Sequence, residues 1–126
     1  MTELHPFLAV RDVAAAVDFY AAAFGAVEIN RVVAPDGTVV AQIEIDGNRV
    51  GLASEAPALG TPSPETVGAT TVRLGLVVDD PDAVAAQAVA AGANEMFPVA
   101  DQPYGWRQGR VVDPFGHHWL VGRPLS

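Results

Sequence analysis

The chain has 126 residues, of which 50% are hydrophobic, and this is enough for one compact domain with an apolar core. Its 7 basic and 15 acidic residues give a net charge of −8, which excludes the basic surface of a nucleic-acid-binding protein and favours a cationic or neutral ligand. Cysteine and lysine are both absent, so thiol chemistry, disulfides, cysteine-bound zinc and lysine Schiff bases are excluded.

The first half of the chain predicts a short strand, a helix and three further strands, in that order. The helix begins after Asp12, whose side chain can cap it, and it carries apolar residues at helical spacing. Gly25 is the glycine expected at its C-terminal end. The further strands are expected at about 26–33, 38–45 and 48–54.

The second half repeats this pattern after a linker. Residues 56–69 hold three prolines and show no periodicity, which predicts the linker. The segment from Arg73 then aligns with the segment from His5, since both contain a strand, an aspartate, an alanine-rich helix and a glycine. Strands follow at about 94–99, 107–112 and 117–122. We therefore expect one α+β domain, residues 1–126, built from two βαβββ modules, residues 1–55 and 70–126.

Alternation along the strands predicts two sheet faces of different character. One is uniformly apolar and is expected under the helices, and a two-residue turn at Asp46-Gly47 would place Ile43 and Ile45 on it. The other combines glycines, rings, arginines and a glutamate, which is typical of a concave ligand-binding surface but also of a homodimer contact, and both interpretations can hold together. This second face comprises His5, Phe7, Ala9, Gln42, Glu44, Arg49, Gly51, Ala53, Arg73, Gly75, Val77, His118, Leu120 and Gly122.

Two stretches of the chain resemble one protein family. The opening FLAVRDVAAAVDFYAAAFGA, residues 7–26, and the ending YGWRQGRVVDPFGHHW, residues 104–119, are similar to the vicinal oxygen chelate superfamily. Within it, the resemblance is to the glyoxalase/bleomycin-resistance group and its PhnB-like branch. The resemblance covers both modules, and it implies that they curl into an open-sided barrel.

The resemblance also implies where a metal ion would bind. Metal-dependent members of the family hold one divalent ion with four side chains from the first and last strands of each module. In this sequence the corresponding positions are His5, Gly51, Arg73 and Leu120. Only His5 offers a donor atom, because glycine and leucine carry none and arginine stays protonated, so we predict no metal and no cofactor. His5, Glu44 and His118 are the alternative donors of a non-standard site, whereas His117 is expected to point towards the helices.

Several aromatic and acidic residues have two interpretations. Tyr104 and Trp106 lie in a loop rich in proline and glycine, where they can stack on a flat or cationic ligand or anchor the loop. Trp119 alternates with Val121 and is expected in the core. Asp113 is expected to organise the DPFG turn rather than to perform chemistry.

Two arginines on the mixed face raise a similar choice. We place Arg49 and Arg73 on equivalent strands of the two modules, where they either recognise a carboxylate or phosphate or form internal ion pairs. We favour ion pairs, because a buried charge needs a partner, and the available partners are Glu44 and Glu55.

The leading functional hypothesis is a metal-independent protein that sequesters a drug-like ligand, as antibiotic-resistance proteins of the bleomycin-resistance type do. The resemblance implies a homodimer with the ligand at its interface, and the acidic balance favours a cationic or aromatic ligand. The alternatives are a glyoxalase-like lyase or isomerase, with a non-standard metal site or with His5, Glu44 and His118 as acid–base groups, and a regulatory module without a cavity.

No signal peptide or apolar span of about 18 residues is present, so we expect a cytoplasmic protein without a membrane partner. The residues expected to contact a ligand are His5, Phe7, Gln42, Glu44, Arg49, Gly51, Arg73, Tyr104, Trp106, His118 and Leu120.

Overall fold

The computed structural model describes all residues, Met1–Ser126, and contains two four-stranded sheets. The elements of the first module are β1 (Phe7–Val10), α1 (Val13–Phe24), β2 (Val27–Val33), β3 (Val39–Ile45) and β4 (Asn48–Ser54). The predicted order of one helix and four strands in this module is confirmed. In its sheet the strand order is β1-β4-β3-β2, with β1 parallel to β4 and the other neighbours antiparallel.

The second module repeats this topology. Its elements are β5 (Arg73–Val77), α3 (Pro81–Ala91), β6 (Asn94–Asp101), β7 (Trp106–Val112) and β8 (His118–Pro124). Its sheet has the order β5-β8-β7-β6, again with one parallel pair, β5 with β8. The predicted α+β fold of two βαβββ modules is therefore confirmed. Strands β6 and β8 end slightly later than predicted, and Trp106 belongs to a strand rather than to a loop.

The segment between the modules is more regular than predicted. A 3₁₀ turn spans Pro57–Leu59 and a short helix, α2, spans Pro64–Val67. The Ser63 hydroxyl caps α2 by accepting the backbone N–H of Thr66. A helix of one turn shows no periodicity in the sequence, so only such capping residues could have predicted it.

Short polar side chains begin both long helices, as predicted. Asp12 accepts the backbone N–H of Ala15 at 3.0 Å, and Asp80 accepts that of Ala83 at 3.1 Å. The predicted two-residue turn between β3 and β4 is also confirmed, because Asp46 and Gly47 have φ angles of 47° and 82°, as a type I′ turn requires.

The helices and the main core lie on one face of each sheet, as the alternation predicts. Ile43 and Trp119, for example, are 0% and 2% exposed. The other face, here called the open face, is exposed: Phe7 on β1 and Val77 on β5 keep 55% and 63% of their accessible surface. The two sheets form no hydrogen-bonded pair with each other, and β1 and β5 are both edge strands. None of the helices has the length and apolar character of a membrane-spanning segment.

Asp113 joins the two modules beneath the second sheet. One of its carboxylate oxygens accepts the backbone N–H groups of Phe115 and His117, which fixes the DPFG turn as predicted. The other oxygen accepts the Tyr20 hydroxyl of α1 and the Trp119 indole N–H. The carboxylate is therefore satisfied by four donors from both modules, although the residue is only 3% exposed.

His117 forms a second link between the modules. Its side chain points towards the helices, as predicted, and the residue is 7% exposed. Its Nε2 lies 2.9 Å from the backbone oxygen of Ala9 on β1. The imidazole therefore satisfies a backbone carbonyl at the edge of the first sheet and is engaged in the structure rather than available to a ligand.

Candidate ligand-binding site

The open face of the second sheet carries a pocket of about 380 Å³. All four strands of the sheet contribute to it, together with the turn between β6 and β7. We call it the β5–β8 pocket. Its lining comprises Arg73, Phe97, Pro98, Ala100, Gln102, Tyr104, Gln108, Gly109, Arg110 and Leu120.

The register of the sheet explains why these residues meet. Arg73 lies opposite His118, and both Gly75 and Arg110 lie opposite Leu120, so these side chains share one face. Nothing lies within 4 Å of a Cβ built on Gly75, so the sheet is unobstructed there.

Strand β6 forms the outer wall of the pocket. Its register with β7 shifts on both sides of Phe97, which marks bulges that bend the strand. At the inner end of this wall a Cβ on Gly109 would lie 2.7 Å from the backbone nitrogen of Val99. Only glycine permits so close an approach, so Gly109 allows the backbone of β6 to lie against β7 at this point.

Polar and aromatic side chains are ordered around the pocket by contacts with one another. The guanidinium of Arg110 lies 5.5 Å from the centre of the Phe97 ring, within range of a cation–π interaction. The Tyr104 hydroxyl donates to Oε1 of Gln108 at 2.8 Å. Gln102 donates to the backbone oxygen of Gln108 at 2.9 Å, which holds the turn over the end of the pocket.

The two arginines predicted on the mixed face have different partners. Arg49 lies 3.4 Å from Glu44, so its predicted ion pair is confirmed. The corresponding prediction for Arg73 is wrong, because no carboxylate pairs with it, and Glu55 instead lies 3.5 Å from Arg11. The prediction that the two arginines occupy equivalent strands is also wrong.

The difference in strands explains the difference in partners. Arg49 lies on β4, the last strand of its module, whereas Arg73 lies on β5, the first strand of the other. The neighbour of Arg49 across the sheet is Glu44, whereas Arg73 is opposite His118.

Burial lowers the pKa of His118, and the nearby charge of Arg110 lowers it further.

Several side chains on the open face of the first sheet contact one another. Arg49 contacts Glu44 and Gln42, and Gln42 also accepts from Asn30, so these polar groups satisfy one another. The Phe7 ring lies across Gly51, and a Cβ built on Gly51 would clash with that ring. The predicted ligand contacts on this face therefore have partners within the sheet.

The residues at the family's metal-binding positions do not fit a metal ion. Gly51 and Leu120 provide no donor, Arg73 is a cation, and the Phe7 ring fills the space above Gly51. The alternative donors are not brought together either: Glu44 lies on β3, His118 on β8, and His5 precedes β1 with its ring 5.6 Å from that of Phe7. The structure contains no group of three His, Asp or Glu residues able to hold a metal.

The structure thus gathers only part of the predicted ligand-binding set. Arg73, Tyr104 and Leu120 line the β5–β8 pocket, and His118 lies beside Arg73. Trp106, at the start of β7, is half-buried outside the pocket lining. Seven residues of the lining were not predicted, although alternation with buried Val111 along β7 identifies Gln108 and Arg110 as residues of the open face. The residues not predicted are Phe97, Pro98, Ala100, Gln102, Gln108, Gly109 and Arg110.

Comparison with known proteins connects this architecture to one family. The chain matches the model of the Glyoxalase/Bleomycin resistance protein/Dioxygenase superfamily over residues 4–121. An uncharacterized protein of Mycobacterium bovis is 43% identical to it over 97% of this chain and 83% of that protein.

Solved structures show the same architecture. TioX from Micromonospora sp. ML1 has a TM-score of 0.74 and 30% identity, covering 99% of this chain and 100% of TioX. The fosfomycin resistance protein FosX from Listeria monocytogenes, in complex with Mn(II) and sulfate ion, has a TM-score of 0.73 and 16% identity, covering 97% of this chain and 91% of FosX. At that identity the likeness to FosX concerns the fold alone.

Proposed function

The chain belongs to the glyoxalase/bleomycin resistance protein/dioxygenase superfamily, and from this membership we propose that it binds a small organic molecule without a metal ion and without forming a bond to it. In this proposal the protein is a homodimer that sequesters a drug-like ligand bearing an aromatic group. The β5–β8 pocket is the proposed site, and the second subunit covers it.

The observation that carries the proposal is the composition of the metal-ligand positions. Three of the four lack a metal-binding atom, so metal-assisted lyase or isomerase chemistry has no ligand set at this place. A pocket remains beside them, with a volume of about 380 Å³, within the range of small-molecule sites. Phe97 and Tyr104 are 54% and 63% exposed there, and their rings offer surfaces for stacking.

The proposal of a second subunit is supported by what the open faces expose. Phe7, Val77 and Phe97 all lie on these faces, and each exposes more than half of its accessible surface. An exposed apolar surface of this kind is typical of an interface, and β1 and β5 both present free strand edges. A second copy placed against the open faces would enclose the pocket and remove these rings and side chains from water.

Thermal-shift measurements combined with elemental analysis test the proposed function. Purified protein is expected to contain less than one equivalent of any transition metal. An aromatic ligand from a panel of drug-like compounds is expected to raise the melting temperature, and at about 100 times its Kd the native state gains about 2.7 kcal/mol. Manganese, nickel or zinc alone should give no comparable stabilisation.

A pair of variants connects the effect to the pocket. Tyr104→Ala is expected to weaken ligand-induced stabilisation, because the exposed ring and its hydrogen bond to Gln108 are lost. Val89→Ala, on the exposed side of α3, should leave it unchanged. The proposal is wrong if the protein copurifies with a stoichiometric transition metal, or if no organic compound stabilises it.

A further inference from the structure

The distribution of ion pairs among the arginines singles out the β5–β8 pocket. The chain has seven arginines and no lysine. Four of them, Arg11, Arg31, Arg49 and Arg107, form salt bridges with carboxylates. Of the three that do not, two line this one pocket, and no aspartate or glutamate lines it with them. The unpaired arginines are Arg73, Arg110 and Arg123.

Arg73 and Arg110 flank the floor of the pocket. They lie on β5 and β7, on either side of β8, and Arg73 is opposite His118 whereas Arg110 is opposite Leu120. Two strand spacings and an offset of two residues along the strands place their backbones about 12 Å apart. Both side chains lie on the open face, and His118 and Leu120 of β8 lie between them. Two guanidinium groups on long side chains can therefore converge on one ligand group above Leu120.

Arg110 is held in place without being neutralised. Phe97 supports its guanidinium from one side, and the only polar contact of the side chain is with Met96 Sδ at 3.9 Å, a weak acceptor. Its Nε is buried and has no hydrogen-bond partner. A buried, unpartnered donor of this kind costs free energy in the unliganded protein, and an acceptor from a ligand would remove that cost.

Gln108 adds a neutral donor at the same place. Because Tyr104 donates to its Oε1, the amide N–H groups of Gln108 are directed away from that contact, and they have no partner in the structure. The local charge is also opposite to that of the whole chain, which is −8. Arg110 and Arg73 both contribute to lowering the pKa of His118, after the larger effect of burial.

We propose that Arg73 and Arg110 form a binding site for an oxyanion, a carboxylate or phosphate group, carried by the aromatic ligand of the proposed function. This inference rests on the proposed function, in which Phe97 and Tyr104 bind the aromatic ring of the ligand. The ligand class is therefore an aromatic acid, and the cationic ligand favoured by the net charge of the chain does not match the lining of this pocket.

Inorganic phosphate tests the anion site without knowledge of the natural ligand. The side-chain Nε–H signals of Arg73 and Arg110 in NMR spectra of the full chain are expected to shift on addition of phosphate, relative to chloride at the same ionic strength. Arg123, also free of a carboxylate partner but outside the pocket, should not shift. Equal shifts of all arginines, or none at Arg73 and Arg110, would overturn the inference.

A matched ligand series tests the chemical class. The probes 2-naphthoate, 2-naphthamide and 2-naphthylmethylammonium share one ring system and differ in charge. We expect calorimetry to show naphthoate binding roughly tenfold more tightly than the amide, because a charge-assisted hydrogen bond adds that much. Arg73→Gln and Arg110→Gln should abolish this preference, whereas Arg123→Gln, with the same change in net charge, should retain it.

The outcomes separate the two proposals. If the three probes bind equally well, the anion site is wrong and the proposed function stands. If the phosphate shifts appear at Arg73 and Arg110 but no aromatic probe or panel compound stabilises the protein, the anion site stands and the proposed ring-binding function is wrong.

Discussion

At the scale of single residues, the Asp113 carboxylate links the two modules through the Tyr20 hydroxyl. It accepts hydrogen bonds from two backbone N–H groups, a phenol and an indole, and all of these partners lose their acceptor if the side chain is removed. We expect Asp113→Ala to lower the free energy of unfolding by about 3 to 5 kcal/mol, because several buried donors stay unsatisfied.

Urea unfolding followed by circular dichroism measures this effect. Asp36→Ala is the matched control, because Asp36 also accepts a backbone N–H group, that of Thr38 at 2.9 Å, but lies exposed in the β2–β3 turn. Its loss should cost less than about 1 kcal/mol. Similar values for the two variants would mean that the buried carboxylate has no special role.

Tyr20 predicts how stability depends on alkaline pH. Burial, followed by the negative charge of Asp113, raises the pKa of Tyr20 well above its ordinary value. Above about pH 10 the unfolded chain loses this proton while the folded chain retains it, so the unfolded state binds fewer protons and stability falls as the pH rises. Below about pH 10 both states keep the proton, and the contribution of Tyr20 is fully present.

The variant Tyr20→Phe removes this dependence. The wild-type free energy of unfolding should decline more steeply between about pH 10 and 12 than that of the variant, as measured by urea titrations at each pH. Tyr104→Phe, which alters an exposed phenol, should keep the wild-type slope. A Tyr20→Phe slope equal to that of the wild type would contradict the argument.

Residue roles were predictable from the sequence where they depend on local geometry. The role of Asp113 was predicted from the sequence of the DPFG turn. The orientation of His117 was predicted from the alternation of side chains along the strand that contains Trp119. The pairing of Arg73 was not predictable, because it depends on which strand lies beside β5 in space. The cross-strand neighbour Glu44 of Arg49 is close in sequence, whereas the cross-strand neighbour of Arg73 is His118, on a strand much later in the chain.

At the scale of elements, two glycines of the second sheet should respond differently to substitution by alanine. In Gly109→Ala the new Cβ would meet the backbone of β6 at 2.7 to 2.9 Å, so the strand must move. We expect a loss of about 1 to 3 kcal/mol in chemical denaturation, the usual cost of overpacking. Gly75→Ala should fold with nearly wild-type stability, because nothing lies within 4 Å of its Cβ.

Gly109→Ala should also weaken ligand binding, separately from its effect on stability. Gly109→Ala moves the wall that carries Phe97, so the affinity for 2-naphthoate should fall even under conditions where the variant is folded. If Gly109→Ala is as stable as Gly75→Ala and binds equally well, β6 does not depend on the close approach at residue 109.

Most elements were predictable because their signals are local. Capping aspartates, closing glycines and the Asp46-Gly47 turn each act within a few residues, and all of them are confirmed. Helix α2 was not predicted, because one turn carries no period. The bulges around Phe97 were also not predictable, since they depend on the approach of β6 to Gly109. These bulges shape the pocket wall, and so the candidate site was only partly predicted.

At the scale of the whole molecule, the exposed faces of the sheets predict self-association. We expect sedimentation velocity to show a dimer at micromolar concentration. Val77→Glu, which places a charge on the open face at a side chain that is 63% exposed, should shift the protein towards monomer. Val89→Glu, on an exposed helix position, should remain dimeric. A wild-type monomer, or dissociation by both variants alike, would contradict the proposed interface.

The fold as a whole was predictable from the repetition of one unit, because two similar patterns in one chain build two similar sheets. The relation between the sheets was not, since it depends on contacts such as Tyr20 with Asp113 that have no counterpart in the repeat. In the first module the corresponding turn residue, Asp46, is exposed, and at the position of α3 that matches Tyr20 the residue is the fully buried Ala88.

This asymmetry makes the two halves of the chain complementary. The phenol comes from the first half and the buried acid from the second, so neither half can replace the other. In a tandem of two second halves the acid would meet Ala88 in place of a phenol, and in a tandem of two first halves Tyr20 would depend on Asp46, which is exposed in its own module. Neither tandem should therefore reproduce the hydrogen bond that joins the halves of this chain.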